Sequence, residues 1–507
     1  MAATTTKTLL LAYASLSSAM SASTFSTNTR SLSQIRRQSH QTSTRCRQGT
    51  HPLPGYRYFY ATSGSNQCAS SSSFSTTATS PKKRSQASLD LEGTIIFGGG
   101  IAGLSTAAAL RNIAGVENIH ILEKLDAASF ANDRSGAAAQ LGPNGLKALR
   151  AIGGDALVQE VVGAGSKLAG NTILLPNVPQ PMTIPDTAEM DTGLPQVLMR
   201  WGVLRMLLAD QISSDCISYG AGHGVVGYTS QDDGGVQLVT SDGTNIGPSS
   251  APLIIAADGI YSTFRQCLAS DTCALDHIDD RMEGIKHNGR VNIKAVTKGV
   301  LDPEQYLANH TYSFFSPDGG VACFAGPAGE GYTYWATSVA DVDDGKCNVM
   351  ELVKCKNSAQ QQKESIKSAL LDKLRGLDEP LVDFAVEMIE NTHPDFVYVQ
   401  HSEEAEEIGP CLVSTDSNVV LVGDAGHSMS PSYGQGANFA LEDAASLAVC
   451  VGDADDVPSA LAAYEESRLE RCREMQQRSA DRADKAMKGE EAEDVSKWIF
   501  AWDVPGK

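Results

Sequence analysis

The chain has 507 residues, 42% of them hydrophobic and 20% charged. That excludes a small disulfide scaffold and a wholly disordered or fibrous chain, and it leaves room for two or three domains. The formal charge of −20 is uneven: residues 1–89 hold ten basic residues and no acidic one, so residues 90–507 carry 30 basic against 60 acidic side chains, a net of −30. Nucleic acid and anionic membranes are bound through Lys and Arg, so a body this acidic repels both, and no nucleic-acid partner is expected. The first 89 residues include 34 Ser or Thr. Arg-rich, Ser-rich and acid-free sequence without periodicity describes a transit peptide. Residues 1–89 are expected to be a disordered targeting leader to an organelle, mitochondrion or plastid. A short apolar stretch at residues 9–14 keeps a two-step signal plus transit leader open.

Folded sequence starts at Asp90. Residues 94–97 form a β-branched and aromatic run, Gly98, Gly99 and Gly100 follow, residues 101–113 are rich in Ala and Leu, and residues 119–122 are apolar again. Strand, glycine turn, helix and strand make a βαβ unit with a parallel pair. Helical spacing appears over 143–152 and 199–212, and 253–257 reads as a buried strand. Residues 291–297, 311–315, 321–325 and 332–339 suit half-buried antiparallel strands. A helical stretch is expected over 364–390, a buried strand over 419–422, a helix over 436–451 and a charged helix over 459–490. No apolar run reaches about 18 residues, so no transmembrane segment is expected. Eleven scattered cysteines without a CxxC pair offer no metal site or redox dithiol and suit a reducing compartment. Most are expected to be buried as small hydrophobes.

Gly98, Gly100 and Gly103 make a GxGxxG that opens a helix directly after a strand. The first glycine permits the tight turn, the second lets backbone approach a pyrophosphate, and the third lets helix and strand pack closely. The phosphate then meets the free amides and positive end of the helix. Glu123 follows 20 residues beyond Gly103, at the tip of the second strand, where a carboxylate can accept hydrogen bonds from ribose hydroxyls. It would repel a ribose 2′-phosphate, so FAD or NAD fits better than NADP.

Residues 419–445 contain GDAxHxxxPxxGQGxN followed by Glu-Asp, and residues 253–265 contain ADGxxSxxR. Residues 199–208, with Arg200 leading, look like an RxxLxxxL segment without matching it at every position, and residues 136–145 carry Gly-Ala and Pro-Asn-Gly stretches. Together these resemble the single-component FAD-dependent aromatic hydroxylases, the monooxygenase family of p-hydroxybenzoate and salicylate hydroxylases, over about residues 93–480. The resemblance implies an α/β fold with a Rossmann-like FAD-binding domain and an interleaved antiparallel substrate domain, as in p-hydroxybenzoate hydroxylase. The expected layout has FAD-binding parts over 90–165, 199–290 and 406–456, substrate-sheet parts over 166–198 and 291–405, and C-terminal helices over 457–507.

The same likeness implies cofactor contacts from Gly98, Gly100, Ile101, Ala102, Gly103, Glu123, Lys124, Gly136, Arg200, Asp258, Asp424, Gly434, Gln435, Gly436 and Ala437. It sets Pro431 and Tyr433 nearer the reacting edge of the flavin, as candidate catalytic residues, and leaves the general base unidentified. His427 is expected to make a structural hydrogen bond rather than to transfer a proton. Tyr332, Tyr334 and Trp335 lie at strand spacing, where aromatic residues are more often core than pocket. The implied activity is hydroxylation of a small aromatic substrate with FAD, NADH or NADPH, and O2, a flavin hydroperoxide donating the oxygen. Alkene epoxidation, as in zeaxanthin epoxidase, and flavin-dependent reduction without oxygen transfer are the alternatives within the fold. A redox-inactive carrier is the alternative outside it. The acidic body tilts the expected substrate toward a neutral or weakly acidic ring.

Overall fold

The computed structural model describes residues 89–174, 181–270, 272–277, 280, 282–299, 306–316, 320–340, 359–377, 382–488, 490 and 492–506. Apart from Leu89, the leader expected over 1–89 lies outside the described residues.

Strand Thr94–Phe97 is paired in parallel on both edges, Ile95 opposite Ile254 and Ile96 opposite Ile121. It sits inside a six-stranded sheet ordered Val413–Ser414, Val419–Leu421, Ile254–Ala256, Thr94–Phe97, Ile119–Glu123 and Ile217–Tyr219. Only the edge strand Val413–Ser414 is antiparallel to its neighbour. Strands covered on both faces are read in sequence as unbroken apolar runs, and Ile95, Ile121, Ile255 and Val420 are completely buried. Helix Ile101–Ala109 follows the first strand and widens into a π turn over Leu110–Ala114, closed by Gly115.

A second sheet of seven strands runs Val397–Ala405, Ile285–Lys298, Tyr332–Ala340, Val321–Pro327, His310–Phe315, Gly170–Leu174 and Met182–Pro185. All its pairs are antiparallel except His310–Phe315 with Gly170–Leu174. Ile293, Phe314 and Trp335 pack from one face onto Leu370 and Ile389 of helices Ala359–Arg375 and Asp383–Glu390. Trp335 Nε1 donates to Thr392 Oγ1 at 2.8 Å. Burial alternates residue by residue along Tyr332–Ala340, so Tyr332 and Tyr334 point to the other face while Trp335 belongs to the core.

Several elements differ from expectation. Met199 and Arg200 end strand Val197–Arg200, and the helix is Trp201–Ala209; backbone pairing of Met199 and Arg200 with Ala139 and Ala138 claims them for a sheet. The helix expected over 143–152 runs Pro143–Ala164, interrupted by Gly154 in a left-handed conformation. The stretch expected over 364–390 is two helices. Strands Val225–Ser230, Val236–Thr240 and Asn245–Ala251 form an antiparallel sheet that the sequence reading did not anticipate. Cys267, Cys323 and Cys472 are buried, Cys216, Cys411 and Cys450 half-buried and Cys273 exposed, so the expected burial holds only for some of the described thiols. No described helix is long and apolar enough to cross a membrane.

Helix Gly436–Asp453 packs between helix Ile101–Ala109 and the long helix Val457–Lys488. Glu442 and Asp443 are fully buried there. Arg468, also fully buried, donates from Nη1 to Glu442 Oε2 at 2.5 Å and from Nε to Asp443 Oδ1 at 2.7 Å. Arg471 Nε reaches Glu442 Oε2 at 2.8 Å, and Asn144 Nδ2 donates to Glu442 Oε1 at 2.7 Å. Asp443 Oδ2 accepts from the backbone N–H of Gly423 at 2.8 Å and lies 2.6 Å from His427 Nε2. Burial works to raise the Asp443 carboxyl, but the charges of His427 and Arg468 hold it well below the usual carboxylate range. Burial likewise opposes protonation of His427, and Asp443 prevails, lifting it above its ordinary value.

The C-terminal helix Ser496–Phe500 closes over the same region. Lys147 Nζ donates to the carbonyls of Phe500 and Trp502 at 3.0 Å each, and the Arg471 guanidinium lies 4.5 Å from the Trp498 ring centre. Removing one partner of a buried ion cluster leaves bare charge in a medium of low polarity. Arg468→Ala is therefore expected to cost about 3–5 kcal/mol of stability. Arg150→Ala, which breaks the exposed pair with Asp155, should cost less than about 1 kcal/mol; urea unfolding of both variants measures the difference.

Candidate functional site

The first strand, its glycine turn and the following helix create the site's floor. Gly98 has φ +112, and a Cβ there would lie 2.3 Å from the Ala257 carbonyl oxygen. A Cβ at Gly103 would lie 1.9 Å from the Gly98 carbonyl oxygen. Both positions exclude any side chain on steric grounds. Gly100 is different: its backbone is extended, and a Cβ there meets nothing within 4 Å. The space over Gly100 is kept open, as close approach of a ligand to the backbone requires. No side chain caps the helix that begins at Ile101, and Ala102 follows in its first turn, so the first amides of the helix face that space unsatisfied by a cap.

Glu123 ends the neighbouring strand, nearly buried. Its Oε2 accepts from Gly99 N at 2.9 Å and its Oε1 from Leu125 N at 2.7 Å. These bonds fix the carboxylate beside the glycine turn with acceptor capacity left over. Lys124, the next residue, is exposed, and its carbonyl oxygen lies 3.1 Å from His223 Nε2.

The second motif closes in from the adjacent strand. Asp258 Oδ2 accepts from Thr263 N at 2.9 Å, while its Oδ1 has no partner in the protein. Burial pushes this carboxyl up to about 6. Arg265, buried in the same motif, donates to the carbonyls of Ile260, at 2.5 Å, and Ala425, at 3.3 Å. It thereby ties the second motif to the third. There Gly423 is wedged between two helices, where a Cβ would sit 2.8 Å from the Ala102 Cβ and 3.3 Å from the Ala440 Cβ. Asp424 opens onto the cleft; crowding by protein raises its carboxyl, and His427, Lys294 and Arg265 pull it back. Its Oδ1 would be 3.6 Å from a Cβ at Gly436, the first residue of the helix Gly436–Asp453. That helix also begins without a side-chain cap, with Ala437 next, and Gly434 is exposed just before it.

Two asparagines hold this turn in place. Asn438 Oδ1 accepts from Gly142 N at 2.8 Å, and its Nδ2 donates to the carbonyls of Gln140 and Gly434 at 2.9 and 3.0 Å. Asn144 Nδ2 donates to Gln435 Oε1 at 3.0 Å. The Pro-Asn-Gly stretch and the Gly-Gln-Gly turn, almost 300 residues apart, are thus one hydrogen-bonded unit. Gln435 is a buried part of that unit.

Gly98, Gly100, Ile101, Ala102, Glu123, Asp258, Asp424, Gly436 and Ala437 therefore gather at the carboxyl ends of the parallel strands, around the open space over Gly100, with Gly434 and Gln435 beside them and Gly103 packed behind the turn against the Gly98 carbonyl. Other expected residues take different partners. Gly136 backs onto the Trp201 ring, 2.7 Å from where its Cβ would be. Arg200 is buried and ion-paired with Asp133 and Glu330, its guanidinium 4.3 Å from the Tyr332 ring centre. Pro431 is exposed in the short turn Pro431–Tyr433. The Tyr433 hydroxyl donates to the Glu493 carbonyl at 2.8 Å, and Arg482 stacks on its ring at 4.2 Å. His427 is fully buried on Asp443, a structural position. His427, Asp443 and Cys472 offer ligand atoms within 4.8 Å of one another, but Arg468 already brings its cation to Asp443 at 2.7 Å and to Cys472 Sγ at 3.7 Å.

Sequence reasoning missed Arg265 as a clamp, Asn438 as a brace, and the partnership of Glu442, Asp443 and Arg468. It also missed Arg205, buried and hydrogen-bonded to Ser135 Oγ at 2.8 Å and to the Phe130 carbonyl, which shapes the loop leading to Gly136.

A flavin dinucleotide fits this cleft on its own terms: open space over Gly100, two uncapped helix ends, a fixed acceptor at Glu123 and an unpartnered oxygen on Asp258. Residues 92–365 and 413–479 match the profile of the family described as FAD binding domain. Aurachin C monooxygenase/isomerase of Stigmatella aurantiaca is 27% identical over 379 residues, covering 74% of this chain and 85% of the relative. FAD-dependent urate hydroxylase of Klebsiella oxytoca is 24% identical over 390 residues, covering 77% and 89%. Among solved structures, Klebsiella pneumoniae HpxO complexed with FAD and uric acid aligns with a TM-score of 0.61 at 21% identity, over 81% of this chain and 93% of that one, which shows a shared fold. With its family match spanning well over half its length, the chain belongs to the FAD binding domain family, and it is an oxidoreductase of the FAD-dependent monooxygenase type.

Proposed function

We propose that this chain takes reducing equivalents from NADH or NADPH and transfers one oxygen atom of O2 to a small, ring-containing substrate, hydroxylating it. The observation that carries the reading is the cleft built over Gly100, facing the seven-stranded sheet that the helices leave uncovered. When bound there, FAD supplies the chemistry that side chains lack, accepting a hydride and activating oxygen. The protein's own residues bind, orient and exclude water.

In this reading the amides of Ile101 and Ala102 hold the pyrophosphate, and Glu123 accepts from the ribose, with Lys124 beside it. Asp258 and Asp424 line the remaining polar length, and Gly434, Gln435, Gly436 and Ala437 direct helix-end amides toward negative charge that develops on reduction. Gly136 and Arg200 belong to the wall between the two sheets. Pro431 and Tyr433 stay candidates for the reacting edge. The urate hydroxylases and the aurachin C monooxygenase/isomerase among the relatives favour a ring compound as substrate. The acid-free leader supports delivery to an organelle.

Three measurements test the reading. Gly100→Val should purify folded, since no protein atom lies within 4 Å of a Cβ there, yet with little flavin and no yellow colour. If Gly100→Val carries FAD as the native protein does, the pyrophosphate assignment is wrong. Mixed anaerobically with NADH or NADPH, the native protein should lose its flavin absorbance faster when a suitable phenol is present, and regain it on admitting O2. An unresponsive flavin rules the monooxygenase reading out. Asp258 ionises as pH rises through about 6, which adds negative charge to a site that takes an anionic dinucleotide. FAD affinity should accordingly fall about tenfold across that range, and Asp258→Asn should flatten the profile in a fluorescence titration.

A further inference from the structure

The uncovered face of the seven-stranded sheet carries a cation, Lys294, that forms no ion pair with any carboxylate among the described residues. Lys294 pairs in register with Ala336 on one side and Tyr398 on the other, and Ala336 pairs with Phe324. Side chains opposite one another in a sheet share a face, so Lys294, Ala336, Phe324 and Tyr398 stand together, and Tyr334 and Gln400 join them two residues along. The intervening residues Ile293, Trp335 and Cys323 point into the core on the far side. This face looks toward the dinucleotide cleft, because the Lys294 ammonium and the Asp424 carboxylate feel each other's charge, and Tyr398 feels Arg134 and Arg205.

Lys294 Nζ donates to Gln400 Oε1 at 3.2 Å. Among the described residues no carboxylate pairs with it, although an ammonium has three donors. It is half-buried, and burial pulls its pKa down further than the charge of Asp424 lifts it, so an anion brought against it would be favoured. Beside it, small Ala336 leaves a shallow floor, and the Phe324 and Tyr334 rings lie 5.9 Å apart at 55°. A flat ring can lie against that floor. One compact ammonium suits one oxygen; a carboxylate is better met by the two-pronged guanidinium.

We propose that Lys294 receives the acidic ring oxygen of the substrate, a phenol or enol bound as its anion, with the ring over Ala336 beside Phe324 and Tyr334. The hydroxyl proton leaves to bulk solvent as the ring binds, so Lys294 keeps its own. An ionised ring oxygen enriches the ring in electrons, which transfer of an electrophilic oxygen demands. This deepens, and rests on, the monooxygenase reading.

The test uses the FAD-loaded protein, with para-nitrophenol and its methyl ether para-nitroanisole as probes, since the nitrophenolate announces its ionisation by colour. The native protein should bind nitrophenol as the phenolate at a pH where the free probe is only half ionised, and bind the ether at least about tenfold more weakly. Lys294→Met should weaken nitrophenol by about tenfold or more and abolish the bound colour shift. Lys294→Arg should keep the shift, and FAD content and melting temperature serve as controls of folding. Equal binding of phenol and ether, an unchanged Lys294→Met, or no saturable binding of nitrophenol would each overturn the proposal. A native flavin that no nicotinamide bleaches refutes the monooxygenase reading instead, while the equilibrium titration still decides the role of Lys294.

Discussion

The cofactor cleft depends on a cluster of charge that never meets water. Glu442 and Asp443 sit side by side in a largely apolar helix, and two adjacent carboxylates buried alone would repel each other and lose their hydration. Arg468 lies across both, with Arg471, Asn144 and His427 completing the set. Once satisfied, the cluster becomes a reference point. Asp443 grips the Gly423 amide, which fixes the start of the Gly-Asp turn, and Asn144 carries the same constraint to the Gln435 turn. The residues that face the ligand are held from behind by residues that cannot reach it. Such a network favours one arrangement of the chain over its competitors, because a half-satisfied version is costly.

Arginines tie the loop before Gly136 to the seven-stranded sheet. Arg134 donates from Nη2 to the Val296 carbonyl at 2.7 Å with its guanidinium 3.1 Å from the Phe396 ring centre, and Arg200 spans Asp133 and Glu330. Planar guanidinium groups stack and fork at once, which a lysine cannot do. The loop before Gly136 is thereby joined to the strands and turns of the seven-stranded sheet.

Much of this was legible in the chain because burial on both faces leaves a plain signature. Ile95 and Ile96, Ile254 and Ile255, Val419 and Val420 stand in unbroken apolar runs, and the glycines between them and the helices fall at fixed spacing. Alternation exposed strands of the second sheet such as Tyr332–Ala340. What escaped was decided by distant partners. Nothing local tells that Met199 and Arg200 pair with Ala139 and Ala138 instead of starting a helix, or that Arg200 meets Asp133 and Glu330 from 67 and 130 residues away. The ion cluster did leave a trace that a closer reading would catch. Leu461, Tyr464, Arg468, Cys472 and Met475 recur at three- and four-residue intervals and are all fully buried. An arginine inside an apolar stripe implies a carboxylate facing it, and the Glu-Asp pair flanked by Leu441 and Ala444 is the obvious match.

The packing of the C-terminal helix has a practical side. Lys147 grips the Phe500 and Trp502 carbonyls, Arg471 stacks on Trp498, and the Glu493 carbonyl receives the Tyr433 hydroxyl. Contacts from Glu493 to Trp502 therefore brace the rear of the nucleotide helices. An affinity handle or fluorescent fusion joined directly after Pro505 would press on that brace, so a flexible spacer belongs between them. The same contacts make the helix Ser496–Phe500 a convenient place for a reporter dye, since Lys147 and Arg471 couple it directly to two of the helices behind the glycine turns.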